Sequence, residues 1–189
     1  MFNLHRRCDE CTACCFALEV KKLDKSINVW CQFCQPASGC RIYHQRPREC
    51  RQYKCQWLTG LGEESDRPDR SGFILDYANN WLSGINLLRF WEWQEGSLGQ
   101  EASLLLTKKC LDLGIAVLWV FKDQRLLIFE TPQEVFSDKI RRDLEKEGVR
   151  IQTGEILVSS RCLSCQKQFS VDNPDFGGGV CRGCWATSH

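Results

Sequence analysis

The stretch that decides the fold class is Ile115-Ala116-Val117-Leu118-Trp119-Val120-Phe121, then Lys122-Asp123-Gln124-Arg125, then Leu126-Leu127-Ile128-Phe129-Glu130-Thr131. Two apolar runs, rich in β-branched and aromatic residues, flank a four-residue polar loop, and that pattern predicts a β-hairpin. The chain then changes period. Thr131-Pro132-Gln133-Glu134 reads as a capping box with proline at the first helical position. Phe136, Ile140 and Leu144 follow at i+4 spacing, and Gly148 predicts the helix stop. Residues 149–158 then predict a final strand.

Working upstream, Ser97-Leu98-Gly99-Gln100 predicts a second capping box, opening a helix that runs to about residue 113 with Gly114 as its left-handed stop. On that helix Leu106, Cys110 and Leu113 share one face. Residues 73–77 and 85–93 predict two further strands, with a turn at Asn79-Asn80. Trp91 and Trp93 alternate onto one sheet face; with Trp81 and Trp119 they read as core or, if that face is exposed, as a docking surface. The middle of the chain is therefore α+β with its own core. It carries no Gly-rich phosphate loop, no GxSxG and no HExxH, and no nucleophile–base pair stands out. Cys110, on the apolar stripe, reads as a small core residue.

Further outward the composition changes abruptly. Fourteen of the 189 residues are cysteine: nine lie between Cys8 and Cys55, four between Cys162 and Cys184, and only Cys110 between those groups. Residues 1–57 carry ten Lys/Arg against five Asp/Glu, whereas residues 58–160 carry twelve against seventeen. A polar joint, Thr59-Gly60-Leu61-Gly62-Glu63-Glu64-Ser65-Asp66-Arg67-Pro68-Asp69-Arg70, separates the first two regions. Three units are expected: a metal-stapled cysteine module over residues 1–58, an α+β domain over 59–158 and a zinc ribbon over 159–189.

Composition excludes several classes. A chain of this length buries roughly 70 % of its unfolded surface and needs no disulfides to build a core. High apolar content with a net charge of +1 argues against disorder and against a strongly basic nucleic-acid binder. The opening Met1-Phe2-Asn3-Leu4-His5-Arg6-Arg7 lacks the apolar run of a secretory signal, and no stretch approaches the ~18–20 apolar residues of a membrane span. A cytoplasmic location without membrane contact is expected, where dense cysteine points to metal or redox chemistry.

At the C-terminal end, Cys162-Leu163-Ser164-Cys165 and Cys181-Arg182-Gly183-Cys184 are two CxxC knuckles fifteen residues apart. Each turn presents two thiolates on one side of a tight loop, and two such loops complete a zinc tetrahedron. Four thiolates leave no open coordination position, so the expected zinc is structural, and its binding would supply the folding energy that a thirty-residue tail lacks. A redox dithiol pair and a rubredoxin-type iron are the alternatives. Only Arg161, Lys167 and Arg182 are basic there, so another protein is the expected partner and nucleic acid the weaker one.

The N-terminal unit begins Cys8-Asp9-Glu10-Cys11-Thr12-Ala13-Cys14-Cys15, continues with Cys31-Gln32-Phe33-Cys34 and Gly39-Cys40, and ends with Cys50 and Cys55. Nine thiols exceed one tetrahedral site. They suit two four-thiolate sites with one cysteine spare, or a polynuclear cluster with bridging thiolates. Neighbouring side chains diverge, so adjacent Cys14 and Cys15 are expected to serve two metals or two positions of one cluster. The CxxCxxC run partly matches bacterial ferredoxins, but the spacing of the next cysteine does not, and the metal, zinc or iron, stays open. Arg41, Arg46, Arg48 and Arg51 would offset the cluster's negative charge and donate to sulfur, or form a site for an anionic substrate. His5 is a possible nitrogen ligand; His44, between Tyr43 and Gln45, is expected in solvent.

The composite Cys-x2-Cys-x2-Cys-Cys, Trp30-Cys31-x2-Cys34, Gly39-Cys40-x-Ile42-Tyr43-x2-Arg46-Pro47-x2-Cys50-Arg51-x-Tyr53-x-Cys55-x-Trp57-Leu58 resembles the CxxCxxCC cysteine-cluster family, described as a zinc- or iron-chelating domain. The resemblance covers about residues 8–58 and extends weakly through Arg67-Pro68-Asp69-Arg70-Ser71-Gly72; the ribbon tail lies outside it. It implies metal binding by Cys8, Cys11, Cys14, Cys15, Cys31, Cys34, Cys40, Cys50 and Cys55. A related cluster occurs in the flagellin lysine methylase group, but this chain has no Gly-rich methyl-donor motif, so metal binding alone carries over. Three functions follow as expectations: a metal-binding protein with zinc or iron (including an iron–sulfur cluster) at the N-terminal cysteines and structural zinc in the tail; an iron-dependent enzyme or accessory factor for protein modification; and a zinc-module adaptor for nucleic acid or protein.

Overall fold

The computed structural model describes residues 6–131 and 136–152, together with the backbone of two short paired strands, Ser159–Arg161 and Gln168–Ser170. The architecture is mixed α+β, built on one five-stranded sheet. The N-terminal cysteine segment contributes a helix α1 (Ala13–Ala17), a two-strand ribbon β1 (Cys34–Gln35) and β2 (Gly39–Cys40), and a helix α2 (Arg48–Gln52). A short helix α3 (Pro68–Ser71) leads into the sheet strands β3 (Phe73–Trp81) and β4 (Ile85–Glu92). Helix α4 (Glu101–Asp112), the hairpin β5 (Ala116–Val120) and β6 (Leu126–Phe129), helix α5 (Asp138–Lys146) and β7 (Val149–Gln152) complete it.

The sheet runs β3-β4-β5-β6-β7 in sequence order. The pairs β3–β4 and β5–β6 are antiparallel hairpins, whereas β4–β5 and β6–β7 are parallel and need the crossovers that α4 and α5 supply. The two helices pack on opposite faces. Phe73, Leu75, Leu88, Phe90, Val117, Trp119 and Phe129 face α4, with Cys110 and Leu111. The alternate residues Ala78, Ile85, Leu87, Leu118, Ile128 and Val149 face α5, with Phe136 and Leu144. Period-2 alternation along each strand makes both cores from one sheet.

The hairpin 115–131 forms as its apolar runs predict, and Phe121 N–H donates to Arg125 O across the polar loop. Several local expectations are corrected. The strand from Phe73 continues through Asn79-Asn80 to Trp81, and the turn is Leu82–Gly84. Asn80 takes a left-handed φ of 51° at a register shift between Ala78 and Trp81, and its freed N–H donates to Asn86 Oδ1 at 2.8 Å. The asparagine tolerance for φ > 0 thus serves a bulge here, not the turn.

Ser97 does not cap α4. Its hydroxyl donates to Gly72 O at 2.7 Å, where Gly72 has φ 77° and a Cβ would meet the Ser97 Cβ at 2.7 Å, so the serine is committed to closing that corner. The helix starts later, at Glu101, and Ser103 Oγ accepts the Gly99 N–H instead. Its buried face is Ser103, Thr107, Cys110 and Leu111; Leu113, expected on that face, is 69 % exposed beyond the helix end. Trp119 Nε1 donates to Thr107 Oγ1 at 3.0 Å, and that buried bond explains a polar residue on the inner stripe.

Helix α5 begins at Asp138, not at Pro132, capped by Ser137 accepting from Ile140 N–H. Residues 132–135 of the expected capping box lie outside the described residues, as do 153–158 of the last strand and His5. Glu130, at the end of β6, ties the helix down: it takes the Arg141 guanidinium on both oxygens at 2.5 and 2.6 Å and the Phe136 N–H at 2.8 Å.

Candidate metal centre

The cysteine segment docks on the same sheet face as α5. Ala13, Ala17, Cys55 and Trp57 bury against Ile74, with Phe16, Trp91 and Trp93 packed beside them. The tryptophan pair therefore does form a docking surface, and its occupant is the chain's own cysteine segment. The joint expected as a polar linker is an anchor. Arg67 forks onto Asp69 at 2.6 and 2.7 Å and reaches Glu10 at 3.3 Å, and the Cys11 thiol lies near Asp69. Trp93 Nε1 donates to Pro68 O at 2.6 Å, and Arg6 donates to Trp57 O, Leu61 O and Gly62 O.

Short-range backbone bonds set the thiols. Cys11 N–H donates to Cys8 O at 2.7 Å and Cys34 N–H to Cys31 O at 2.9 Å, closing the two CxxC turns. Cys31 N–H donates to Cys15 O at 3.0 Å, which joins the second turn to α1. In the ribbon Cys34 pairs directly with Cys40. Gly39 has φ 113°, and a Cβ there would lie 3.2 Å from Asp9 O in the first turn, so glycine lets the ribbon sit close to that turn. Pro47 precedes α2, which carries Cys50, and the segment after it brings Cys55 under the sheet: Gln56 N–H donates to Leu75 O at 2.7 Å.

These elements surround one cavity of about 230 Å³. Its wall includes Cys8, Cys11, Cys14, Cys15, Cys31, Cys40, Cys50 and Cys55, eight of the nine N-terminal cysteines. The ninth, Cys34, lies outside the wall, paired in the ribbon with Cys40 and near Cys15. Cys14 and Cys15, expected to diverge, both reach the cavity, and the Cys14 thiol is close enough to act on Cys15. No disulfide joins the described cysteines. Among the described residues no three Cys, His, Asp or Glu side chains converge tightly enough to hold one ion as they stand. The thiols ring a volume instead of meeting at a point.

Burial sets their protonation. Burial pushes the Cys11 thiol up to about 11 and the Cys34 thiol up to about 12, and raises Cys8, Cys50 and Cys55 as well. For Cys15 the contact with the Cys14 thiol is the largest cause, followed by burial. Those raised thiols favour the protonated form at neutral pH, so a metal binding there would displace their protons. Two cations stand near. Lys25 is 6 % exposed; its ammonium caps α1 by donating to Phe16 O and Leu18 O, and it faces Cys15, Cys31, Cys14 and Cys50. Arg46 lines the cavity, with its Nε on Tyr43 O at 2.8 Å and its guanidinium 3.6 Å from the Tyr43 ring centroid.

Of the four arginines expected around the thiols, Arg46 alone lines the cavity. Arg41 is exposed and donates to Gln32 O, and Arg48 and Arg51 are exposed on α2. His44 is exposed too. Lys25 and Tyr53 were not singled out by sequence reasoning. Tyr53 stood in the quoted signature, two residues before Cys55, which is the signal that could have found it; nothing in the sequence distinguishes Lys25 from its neighbours. Cys110 lies in the α4 core, with its thiol pushed up to about 11 by burial, away from the cavity. Cys162, Cys165, Cys181 and Cys184 lie outside the described residues; the strands Ser159–Arg161 and Gln168–Ser170 pair antiparallel on either side of residues 162–167.

No family model, curated protein or solved structure matches the chain.

Proposed function

We propose that the protein binds metal, with the N-terminal cysteines chelating zinc or iron as a multinuclear or iron–sulfur cluster and the four C-terminal cysteines holding a structural zinc. The observation that carries the first part is the single cavity walled by eight thiols. Thiolates select soft or borderline ions, chiefly zinc, copper(I) and iron–sulfur clusters. One zinc tetrahedron uses four sulfurs 2.3 Å from the ion, about 3.8 Å from one another. Eight thiols around a volume of 230 Å³ exceed that set, which supports several ions sharing the cage over one. Arg46 and Lys25 supply positive charge against the anionic cluster.

The tail rests on its spacing: two CxxC pairs, the first lying between two paired strands. A reducing cytoplasmic setting suits thiols kept as ligands. Among the described residues no helix is long and apolar enough to cross a membrane. The three-unit division remains part of this reading, with the N-terminal unit seated on the sheet.

The test is anaerobic purification of the full chain with a visible spectrum and a count of zinc, iron, copper and acid-labile sulfide. The expected result is more than one metal ion beyond the tail's single zinc. A chain carrying no bound metal would overturn the reading. A colourless protein with zinc alone would remove iron from it, and a brown one with iron and sulfide would remove the all-zinc cage.

A further inference from the structure

The cavity wall contains one polar group that the thiol cage does not explain. The Tyr53 hydroxyl is buried and, among the described residues, has no hydrogen-bond partner. A buried hydroxyl left unpaired is costly, so such a group calls for an explanation. Its surroundings are specific. Tyr53 packs in one cluster with Cys14 and Cys55 and shares the cavity wall with them, and the Asp76–Arg89 pair is also near enough to act on it. Asp76, buried within the sheet face, already takes the Arg89 guanidinium on both oxygens, at 2.8 and 3.1 Å.

We propose that Tyr53 is a positioning residue whose hydroxyl donates a hydrogen bond to a metal-bound thiolate of Cys14 or Cys55. The inference rests on the metal reading above. A phenol O–H is a donor, and a metal-bound thiolate is an acceptor with negative charge to share; a neutral thiol in the empty cage is a poor one. The hydroxyl therefore gains its partner only when the cage is loaded. The rest of the side chain suits this role. Tyr53 follows α2 directly, its N–H donates to Glu49 O at 3.0 Å, and the next residues are fixed by the bond from Gln56 to the sheet. The main chain that carries the ring into the cavity wall is thus fixed on both sides of Tyr53. The Asp76 carboxylate, forked by Arg89, is the rival acceptor.

The two possibilities predict opposite signs for Tyr53→Phe. If the hydroxyl serves the loaded cage, removing it relieves an unpaired buried group in the metal-free chain and removes a bond from the loaded one. If it serves Asp76, the metal-free chain itself loses a bond. The experiment loads full-length wild type and Y53F with Co²⁺ without oxygen. It then records the sulfur-to-cobalt charge-transfer band, times cobalt release to a chelator, and measures thermal unfolding of both metal-free proteins.

The expected result is about tenfold or faster cobalt release from Y53F, a displaced charge-transfer band, and a metal-free midpoint equal to or above wild type. An unchanged band with an unchanged release rate overturns the assignment while the metal reading stands. A metal-free Y53F that melts below wild type overturns it in favour of Asp76. A wild type that takes up no cobalt at the cysteine cage overturns both.

Discussion

Two parts of one sheet face are held in different ways. Under α5, Leu87, Leu118, Ile128 and Leu144 are closed off from solvent and pack as hydrocarbon. Under the cysteine segment the contact is thin: Ala13 and Ala17, with Ile74 and Trp57, seal the edge, and above them the thiols surround a 230 Å³ space. The first region needs nothing further. The second has helices of five residues and strands of two, too short to persist by hydrogen bonding alone, and it surrounds a void where a core should be. The sheet is thus a scaffold that folds on apolar burial, whereas on the metal reading proposed above the cysteine segment would be completed by what its cavity binds.

The largest expected effect follows from that contrast. A chelator strong enough to strip the N-terminal metal of the proposed site should lower hydrogen-exchange protection over residues 8–50 by more than in any sheet strand, because metal binding would add to folding energy there, while the contacts of Ala13, Ala17, Tyr53, Cys55 and Trp57 around Ile74 keep the segment seated. Protection of β4, β5 and β6 should survive. Exchange followed by mass spectrometry before and after stripping reads this directly, and protection lost equally from the sheet would show one cooperative unit where two are expected.

The reverse substitution attacks the scaffold. Phe90 is fully buried and stacks on Phe73 with ring centroids 5.4 Å apart. Phe90→Ala should cost about 3–5 kcal/mol in global stability through the cavity it leaves. Denaturant unfolding measures that loss, while metal per folded molecule should stay at the wild-type value. A fall in metal content among molecules still folded would mean that the α4 core and the thiol cage are coupled through the sheet.

How legible each region was in the sequence follows from the same contrast. The hairpin of residues 115–131 and the i+4 row of Phe136, Ile140 and Leu144 announce themselves because packing on a sheet imposes periods of 2 and about 3.6. Where a side chain has a second use, local rules mislead. Ser97 looks like a cap but closes the Gly72 corner, and Asn80 looks like a turn but forms a bulge. In the cysteine segment spacing could name the candidate thiols, and the structure brings eight of the nine to one cavity. That convergence was not readable, because it depends on Gly39 sitting close to Asp9, on Arg67 reaching Glu10 with Asp69 near Cys11, and on Trp91 and Trp93 lying beneath. These are long-range contacts with no local period. Tyr53 carried a position in the signature but no hint that its hydroxyl would be buried beside Cys14 and Cys55.

The smallest effect sharpens the boundary between the two parts of the face. Ser137 caps α5 by accepting the Ile140 N–H at 3.4 Å, a long bond at an exposed site. Ser137→Ala should therefore cost only about 0.5–1 kcal/mol, the low end for an N-cap. The helix keeps its other ties, since Arg141 remains forked on Glu130 and Leu144 stays buried in the sheet core. The denaturant midpoint should fall slightly, with the slope of the transition unchanged, because no surface changes hands in either state. Cobalt release from the cysteine cage should match wild type, because α5 and the cage share a sheet face but pack into different clusters on it. If so mild a change at Ser137 sped metal release, the apolar and thiol-lined halves of that face would have to be one mechanical unit, and the division between scaffold and cage would fail at its weakest point.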